Sequence, residues 1–237
     1  MPAKEIVIEG IGTVRLYKRR GSRNIRLGFD SKGEVRVSLP AWAPYNSAIG
    51  FVKDRIDWIN SHRPNISSSL FMNGQRIGKA HRLVLLADEK VKSVQVRLID
   101  TNITVKYPSY LGTGSDQVQK AAERGAKRAL HTEAERLLPQ KLRSLAKQYG
   151  FNFRGVEVKQ LTSKWGSCNQ NHDITLNYYL MQLPWHLIDY VLVHELVHTE
   201  HLNHSSGFWN RFESIMPEAK KIRKELKTYK TIVVASV

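Results

Sequence analysis

One cysteine, Cys168, is all that this 237-residue chain contains. A single thiol leaves no intramolecular disulfide and no zinc site built from several cysteines. Long hydrophobic runs are missing as well. No apolar stretch approaches the roughly 18 residues of a membrane span, and the mean hydropathy is −0.39. The opening residues Met1-Pro2-Ala3-Lys4-Glu5 form no apolar segment of the kind a secretory signal uses, so a cytoplasmic location is expected. Neither a repeat nor a low-complexity tract is visible. Acidic residues are also in short supply: 21 Asp and Glu stand against 37 Lys and Arg, a net charge of +16. Such a field attracts polyanions, among them nucleic acid, nucleotides and acidic proteins. What is present is ordinary globular usage, 41% hydrophobic and 24% charged, which excludes collagen-like, mucin-like and wholly disordered chains.

The pattern along the chain predicts an α+β fold of two domains. Residues 1–111 read as β-rich. Ile25, Leu27 and Phe29 alternate with Arg26 and Gly28, a turn follows at Asp30-Ser31-Lys32-Gly33, and Val35, Val37 and Leu39 resume the alternation. Helical spacing covers 46–61, a turn is expected at Met72-Asn73-Gly74-Gln75, and strands are expected at 82–87, 93–99 and 102–107. Leu111-Gly112-Thr113-Gly114-Ser115 marks the boundary. The second domain, 115–237, opens with a helix that Pro139 interrupts or restarts and that stops at Gly150. Strands follow at 156–161 and 174–178. A helix led by Pro184 runs to about 201, and a last one spans 205–228. The part up to residue 111 holds 19 basic and 9 acidic residues and the remainder 18 and 12, so the excess is greater in the β-rich half.

Chemistry concentrates in His194-Glu195-Leu196-Val197-His198. Two histidines four apart on a helix lie one turn apart on one face, where both imidazoles can bind one zinc ion. Glu195 stands beside them, in reach of a metal-bound water as general base. The preceding residues Leu187, Ile188, Val191, Leu192 and Val193 make the helix apolar nearly all round, so its polar groups need partners. A catalytic zinc takes three protein ligands and a water. His204, six residues after His198, is the preferred third ligand, and Glu218 is its competitor. Where the metzincin pattern has a glycine to turn the chain, this sequence has His201, and Asn203 is the best candidate for a left-handed residue there. His201 is then a surface or supporting residue.

Lys164-Trp165-Gly166-Ser167-Cys168, Ile174-Thr175-Leu176-Asn177, Ile188-Asp189-Tyr190-Val191 running into the histidine motif, Asn203-His204-Ser205 and Phe208-Trp209 together resemble the YgjP-like zinc metallopeptidases, relatives of the SprT-like and WLM-type proteases. Val35-Arg36-Val37-Ser38-Leu39-Pro40 and Asp57-Trp58-Ile59 extend the resemblance to most of the chain. It implies a β-rich N-terminal half followed by a zincin-like helical metallopeptidase domain with a small sheet. It further implies zinc ligands at His194, His198 and His204 and a catalytic base at Glu195, but nothing firm about substrate; the expected partner is a peptide or protein substrate of unknown identity. Lys164 stands where arginine is commoner, and Asn171-His172-Asp173 replaces a glycine-containing turn. Candidate supporting or substrate-contacting residues are Trp165, Ser167, Cys168, Asn177, Asp189 and His201. Trp165 to Cys168 read as a loop between two strands. Cys168 is a possible fourth ligand, which would close the metal site, or a small buried residue. Asp189 is a candidate to orient a ligand ring or to form an ordinary ion pair. Phe208, Trp209 and Phe212 read as packing beneath the site.

The reaction these residues suit is hydrolysis by a zinc-activated water. Two rivals follow from the charge. One is a zinc-dependent nucleotide phosphoanhydride hydrolase, which lacks a phosphate-cradling glycine motif here. The other is a nucleic-acid-associated protein or protease using the basic stretch Arg15, Lys18, Arg19, Arg20, Arg23 and Arg26, whose one aromatic is Tyr17.

Overall fold

The computed structural model describes residues 4–29, 34–62 and 70–231. Mixed α and β elements form two compact units, Met1–Ser68 and Ser69–Val237. Each unit has its own buried core.

In the first unit, β1 (Lys4–Ile8), β2 (Gly12–Arg19), β3 (Arg26–Phe29) and β4 (Val35–Pro40) form a sheet in the order β1-β2-β4-β3. The β2–β4 pair is parallel and the two flanking pairs are antiparallel. The alternation read from the sequence decides which face is inside. Val14, Leu16, Val35, Val37 and Leu39 are wholly buried, while Arg26 and Arg36 face out. Two helices, α1 (Tyr45–Lys53) and α2 (Ile56–His62), complete this core with Ala48, Val52 and Ile59. The single helix expected at 46–61 is thus broken, and at the break Arg55 N–H bonds to Val52 C=O, a tighter turn than the α-helical one. The turn expected at 30–33 lies outside the described residues. The basic stretch is partly neutralised, because Arg15 pairs with both Glu5 and Glu34.

The second unit begins with the same plan. β5 (Arg76–Ile77), β6 (His81–Ala87), β7 (Gln95–Ile99) and β8 (Asn102–Tyr107) order as β5-β6-β8-β7, again with one parallel pair between two antiparallel ones. Val35-Arg36-Val37-Ser38-Leu39-Pro40 of β4 corresponds to Ile103-Thr104-Val105-Lys106-Tyr107-Pro108 of β8 and its following proline. In both, the first, third, fifth and last residues are buried. Only inward positions and the proline are alike, so no repeat is visible in the sequence itself.

Helix α3 (Asp116–Tyr149) lies on this second sheet. Its contact face is made of small residues, Ala121, Ala122, Gly125, Ala126 and Ala129. At Gly125 a Cβ atom would stand 2.5 Å from Ile103 Cγ2, so only glycine permits this approach. The same helix continues past the sheet with Leu138, Leu142 and Ala146 buried in the same core. This corrects two expectations. Pro139 stands inside one continuous helix, because the burial on both sides of it outweighs the one backbone hydrogen bond that proline removes. The division expected at 111–115 falls inside the second unit, because the strands from 76 to 107 and the helices after 115 share one core. The charge divides differently in consequence. Met1–Ser68 holds 12 basic and 6 acidic residues and Ser69–Val237 holds 25 and 15, so most of the excess lies in the unit with the histidine motif.

Three short strands follow: β9 (Gly155–Lys159), β10 (Gly166–Cys168) and β11 (Asp173–Asn177), in the order β10-β11-β9. The β10–β11 pair is antiparallel, and β10 is an edge strand rather than the expected loop. Three residues are too few for a period-two pattern to show. A 3-10 helix (Tyr178–Gln182) leads to α4 (Trp185–Val197), α5 (Ser206–Ile215) and α6 (Ala219–Leu226). The helix expected at 205–228 is two, because Pro217 forces Met216 out of the helical region, to φ −127° and ψ 83°. Among the described residues no helix is long and apolar enough to cross a membrane.

One buried carboxylate ties the sheet to α3. Glu133, 1% exposed, accepts the backbone N–H groups of Lys79, Ala80 and His81 at 2.7, 2.9 and 3.2 Å and meets His81 Nδ1. Glu133→Ala leaves these donors buried and unpaired. It is expected to cost about 2–4 kcal/mol in urea denaturation, with a smaller loss for Glu133→Gln.

Candidate active site

Helix α4 is apolar on almost every side, and Pro184 stands at its N-cap. Its last turn carries His194, Glu195 and His198. The helix then unwinds through the bonds Thr199 N–H to Leu196 C=O and Glu200 N–H to Val197 C=O, and the chain returns to deliver His204. The turn uses no left-handed residue, so Asn203 does not serve as expected. Among the described non-glycine residues only Asp100 and His172 have positive φ.

The three imidazoles converge. One nitrogen of each of His194, His198 and His204 lies within 4.8 Å of the other two. His204 Nε2 and His194 Nε2 are 3.1 Å apart. That is close to the roughly 3.3 Å between two ligands on one tetrahedral ion with bonds of about 2.0–2.1 Å. Phe208, fully buried, sits beneath all three rings, with centroids 4.7–5.0 Å away. Trp209 and Phe212 extend this aromatic floor.

Each histidine is prepared differently. His198 Nδ1 donates to the carbonyl of His201 at 2.9 Å, which leaves Nε2 with a free lone pair. His201 therefore acts through its backbone, while its ring stays outside the cluster. His194 is pushed down to about 3, first by burial and then by the neighbouring His198, His204 and Arg223. Burial also lowers His198. Both rings are thus held neutral, as a metal ligand must be. His194 Nδ1 is buried and has no partner within the chain.

Glu195 is 5% exposed and lies against β10. A Cβ atom at Gly166 would come within 2.8 Å of its Cγ and Oε1, so glycine is required for the strand to pass. The Cys168 N–H donates to its carboxylate, and Lys164 also favours the charged form. Burial outweighs both and pushes Glu195 up to about 8. Its Oε2 is buried and unpartnered. The unpartnered Glu195 Oε2 beside three converging nitrogens fits a bound cation with a proton acceptor next to it.

The other expected residues fall into place around this centre. Trp165, Ser167 and Cys168 line a cleft of about 590 Å³ that contains Glu195 and the three histidines. Cys168 stands outside the nitrogen cluster. Burial and the carboxylates of Glu195 and Asp173 push its thiol up to about 11. Asp189 pairs with Lys141 at 2.9 Å, the ordinary ion pair its position allowed. Glu218 is exposed at the start of α6 and outside the cluster. His172 supplies a left-handed turn residue between β10 and β11 in place of a glycine. The sequence reading assigned nothing to Tyr190, Leu202, Arg223, Leu226, Lys227 and Tyr229, which also line the cleft. Tyr190 belongs to the Ile188-Asp189-Tyr190-Val191 stretch and Leu202 to the turn after α4, while the others come from α6 and the C-terminal segment, which carry no local motif.

A family model for the YgjP-like metallopeptidase domain matches residues 23–229. The chain belongs to the YgjP-like metallopeptidase family. The YgjP-like chain is accordingly a metal-binding hydrolase with peptides or proteins as its substrate class. Among solved structures, the metallopeptidase zymogen abylysin of Pyrococcus abyssi is similar at 26% identity over 41% of this chain and 100% of its own, with a TM-score of 0.36. The metallopeptidase zymogen jannalysin of Methanocaldococcus jannaschii is similar at 20% identity over 38% and 94%, with a TM-score of 0.35. No curated protein matches significantly.

Asn177 positions the strand that bears on Glu195. It is fully buried at the end of β11, and its amide donates to the carbonyls of Leu161 and Lys164, both at 2.8 Å. Its side-chain oxygen accepts the Tyr179 N–H, and its backbone N–H donates to Trp165 C=O. Replacing Asn177 by Asp removes the two amide donors. Hydrogen exchange is expected to quicken at residues 161–166, with a stability loss of about 1–3 kcal/mol.

Proposed function

We propose that the YgjP-like chain is a zinc-dependent peptidase, with zinc held by His194, His198 and His204 and Glu195 as general base. The observation that carries this is the convergence of three imidazoles beside one buried carboxylate, in a cleft bordered by an edge strand. Three imidazoles with a position left open make a common catalytic zinc set. Zinc bound there would polarise the scissile carbonyl and make water a better nucleophile at neutral pH.

The protein's own groups do the rest. Phe208 packs under the three rings, and the His201 carbonyl fixes the tautomer of His198. Glu195 takes the proton of the attacking water on its unpartnered Oε2 and passes it to the leaving amine nitrogen. Burial suits it to both duties, because it raises the basicity of the carboxylate. One side of β10 pairs with β11, and its other side is an edge to which an extended peptide can add by backbone hydrogen bonding. Gly166 lets that edge lie directly against Glu195. A phosphoanhydride substrate finds no glycine-rich cradle at this site.

The test compares wild type with Glu195→Gln and His204→Ala for zinc content and for casein and nucleoside triphosphate hydrolysis. Glu195→Gln is expected to keep one zinc per chain and lose casein cleavage by about 10²–10⁴-fold. His204→Ala is expected to lose both metal and cleavage. Wild-type casein cleavage by Glu195→Gln, or pyrophosphate release without peptide cleavage, overturns the assignment.

A further inference from the structure

The walls of the cleft carry charge of one sign. Lys164, Arg223 and Lys227 line it, and Glu195, committed to the reaction, is its single carboxylate. Among the described residues none of these three cations forms an ion pair. Nearby cations do find partners, Lys141 with Asp189 and Arg211 with Glu200. The cleft therefore carries uncompensated positive charge around a reaction centre that needs only neutral imidazoles and one base.

The cations stand on opposite walls. Lys164 directly precedes Trp165 and β10, and Asn177 holds its carbonyl. Arg223 projects from α6 with its guanidinium 5.2 Å from the centre of the Trp209 ring, a stacking that limits its freedom to swing away. Lys227 follows at the end of the same helix. The segment beyond α6 crosses to the other wall, where the Thr231 hydroxyl donates to Thr162 C=O at 2.9 Å. Both walls are thereby tied together close to the charged groups.

We propose that this cleft selects peptides bearing a carboxylate close to the scissile bond, with Lys164 on the strand side and Arg223 and Lys227 on the helix side as its specificity determinants. The proposal rests on the peptidase reading above and names its substrate class. A carboxylate on an extended chain suits the arrangement better than a phosphate. The charges are single side chains flanking an edge strand, whereas phosphate sites are built from converging backbone N–H groups. The carboxylate has two possible sources, an Asp or Glu side chain and a peptide's own C-terminus.

Binding and cleavage are measured separately. Fluorescent peptides of one sequence carry Glu, Gln or Lys within two positions of the central bond, each with a free or an amidated C-terminus. Their affinity for full-length Glu195→Gln protein, metal-free and zinc-loaded, is read by anisotropy at two salt concentrations. Glu peptides are expected to bind about three- to tenfold more tightly than Gln peptides, the range that one or two partly exposed ion pairs supply. Lys peptides are expected to bind weakest, and salt to narrow the differences. Adding Lys164→Glu and Arg223→Glu to the Glu195→Gln protein is expected to reverse the order in favour of Lys. Both positions are exposed, and circular dichroism is used to check that the fold is kept. A gain confined to free C-termini assigns the carboxylate to the peptide end, and a gain that persists after amidation assigns it to a side chain. Equal affinities across all peptides overturn the proposal. If wild type then still cleaves them in a Glu195-dependent way, the peptidase reading stands without it. Failure to cleave any peptide, with hydrolysis of nucleoside triphosphates, overturns both.

Discussion

Helix α4 brings Glu195 and two histidines into an interior that is otherwise apolar, and the surrounding structure is organised around satisfying them. A buried carboxylate without partners is costly, and two half-buried imidazoles side by side disfavour each other's charge. The fold answers with a third histidine from the returning chain, a carbonyl for His198, and the Cys168 N–H for Glu195. What these leave unsatisfied on the carboxylate, Glu195 Oε2, lies beside the three converging nitrogens. Local cost and chemical competence are the same feature seen twice. The carboxylate oxygen left unpaired by the protein is the one free to take a proton.

Everything that flanks α4 is concerned with how closely backbone can approach it. Gly166 allows β10 to lie against Glu195, and Asn177 fastens the loop that leads into that strand. Phe208 holds the rings from below. On the far side of the unit, α3 makes a comparable close approach to β8 at Gly125 and is pinned to the 79–81 turn by Glu133. One helix of 34 residues thus joins the sheet at 76–107 to the elements around the site, which is why the structural division falls near residue 68. That division also moves the basic excess. It cannot be ascribed mainly to a separate N-terminal platform, because the unit containing the histidines carries the larger share, and part of it faces the cleft.

Much of this was legible in the residues. Period-two alternation identified β3 and β4, and strands were expected where β6, β7 and β8 lie, whereas β1, β2 and β5 were not read individually. Spacing identified the His194–Glu195–His198 constellation, because a helix places residues four apart on one side. Other features escaped. Strand β10 is three residues long and reveals itself only through pairing with β11. The continuity of α3 through Pro139 follows from burial on both sides of the proline, which propensity does not weigh. The repeated sheet plan is hidden because only inward positions are alike. Arg223 and Tyr229 reach the cleft from the last helix and the segment after it, and no local pattern announces a partner so distant along the chain.

Sequence alone thus determined the chemical vocabulary: two imidazoles and a carboxylate on one apolar helix, a lone thiol, an excess of cations, and the alternation of the strands. These are properties of spacing and composition, and they survive without knowledge of the fold. Tertiary structure decided the grammar. It brought His204 rather than Glu218 to the pair, kept Cys168 outside the cluster, paired Asp189 with Lys141, and turned Gly166–Cys168 into an edge strand. The physical reason is that each of these outcomes depends on the approach of segments distant in sequence. Such approaches are set by glycine clearances and buried hydrogen bonds, not by any one segment's own preference.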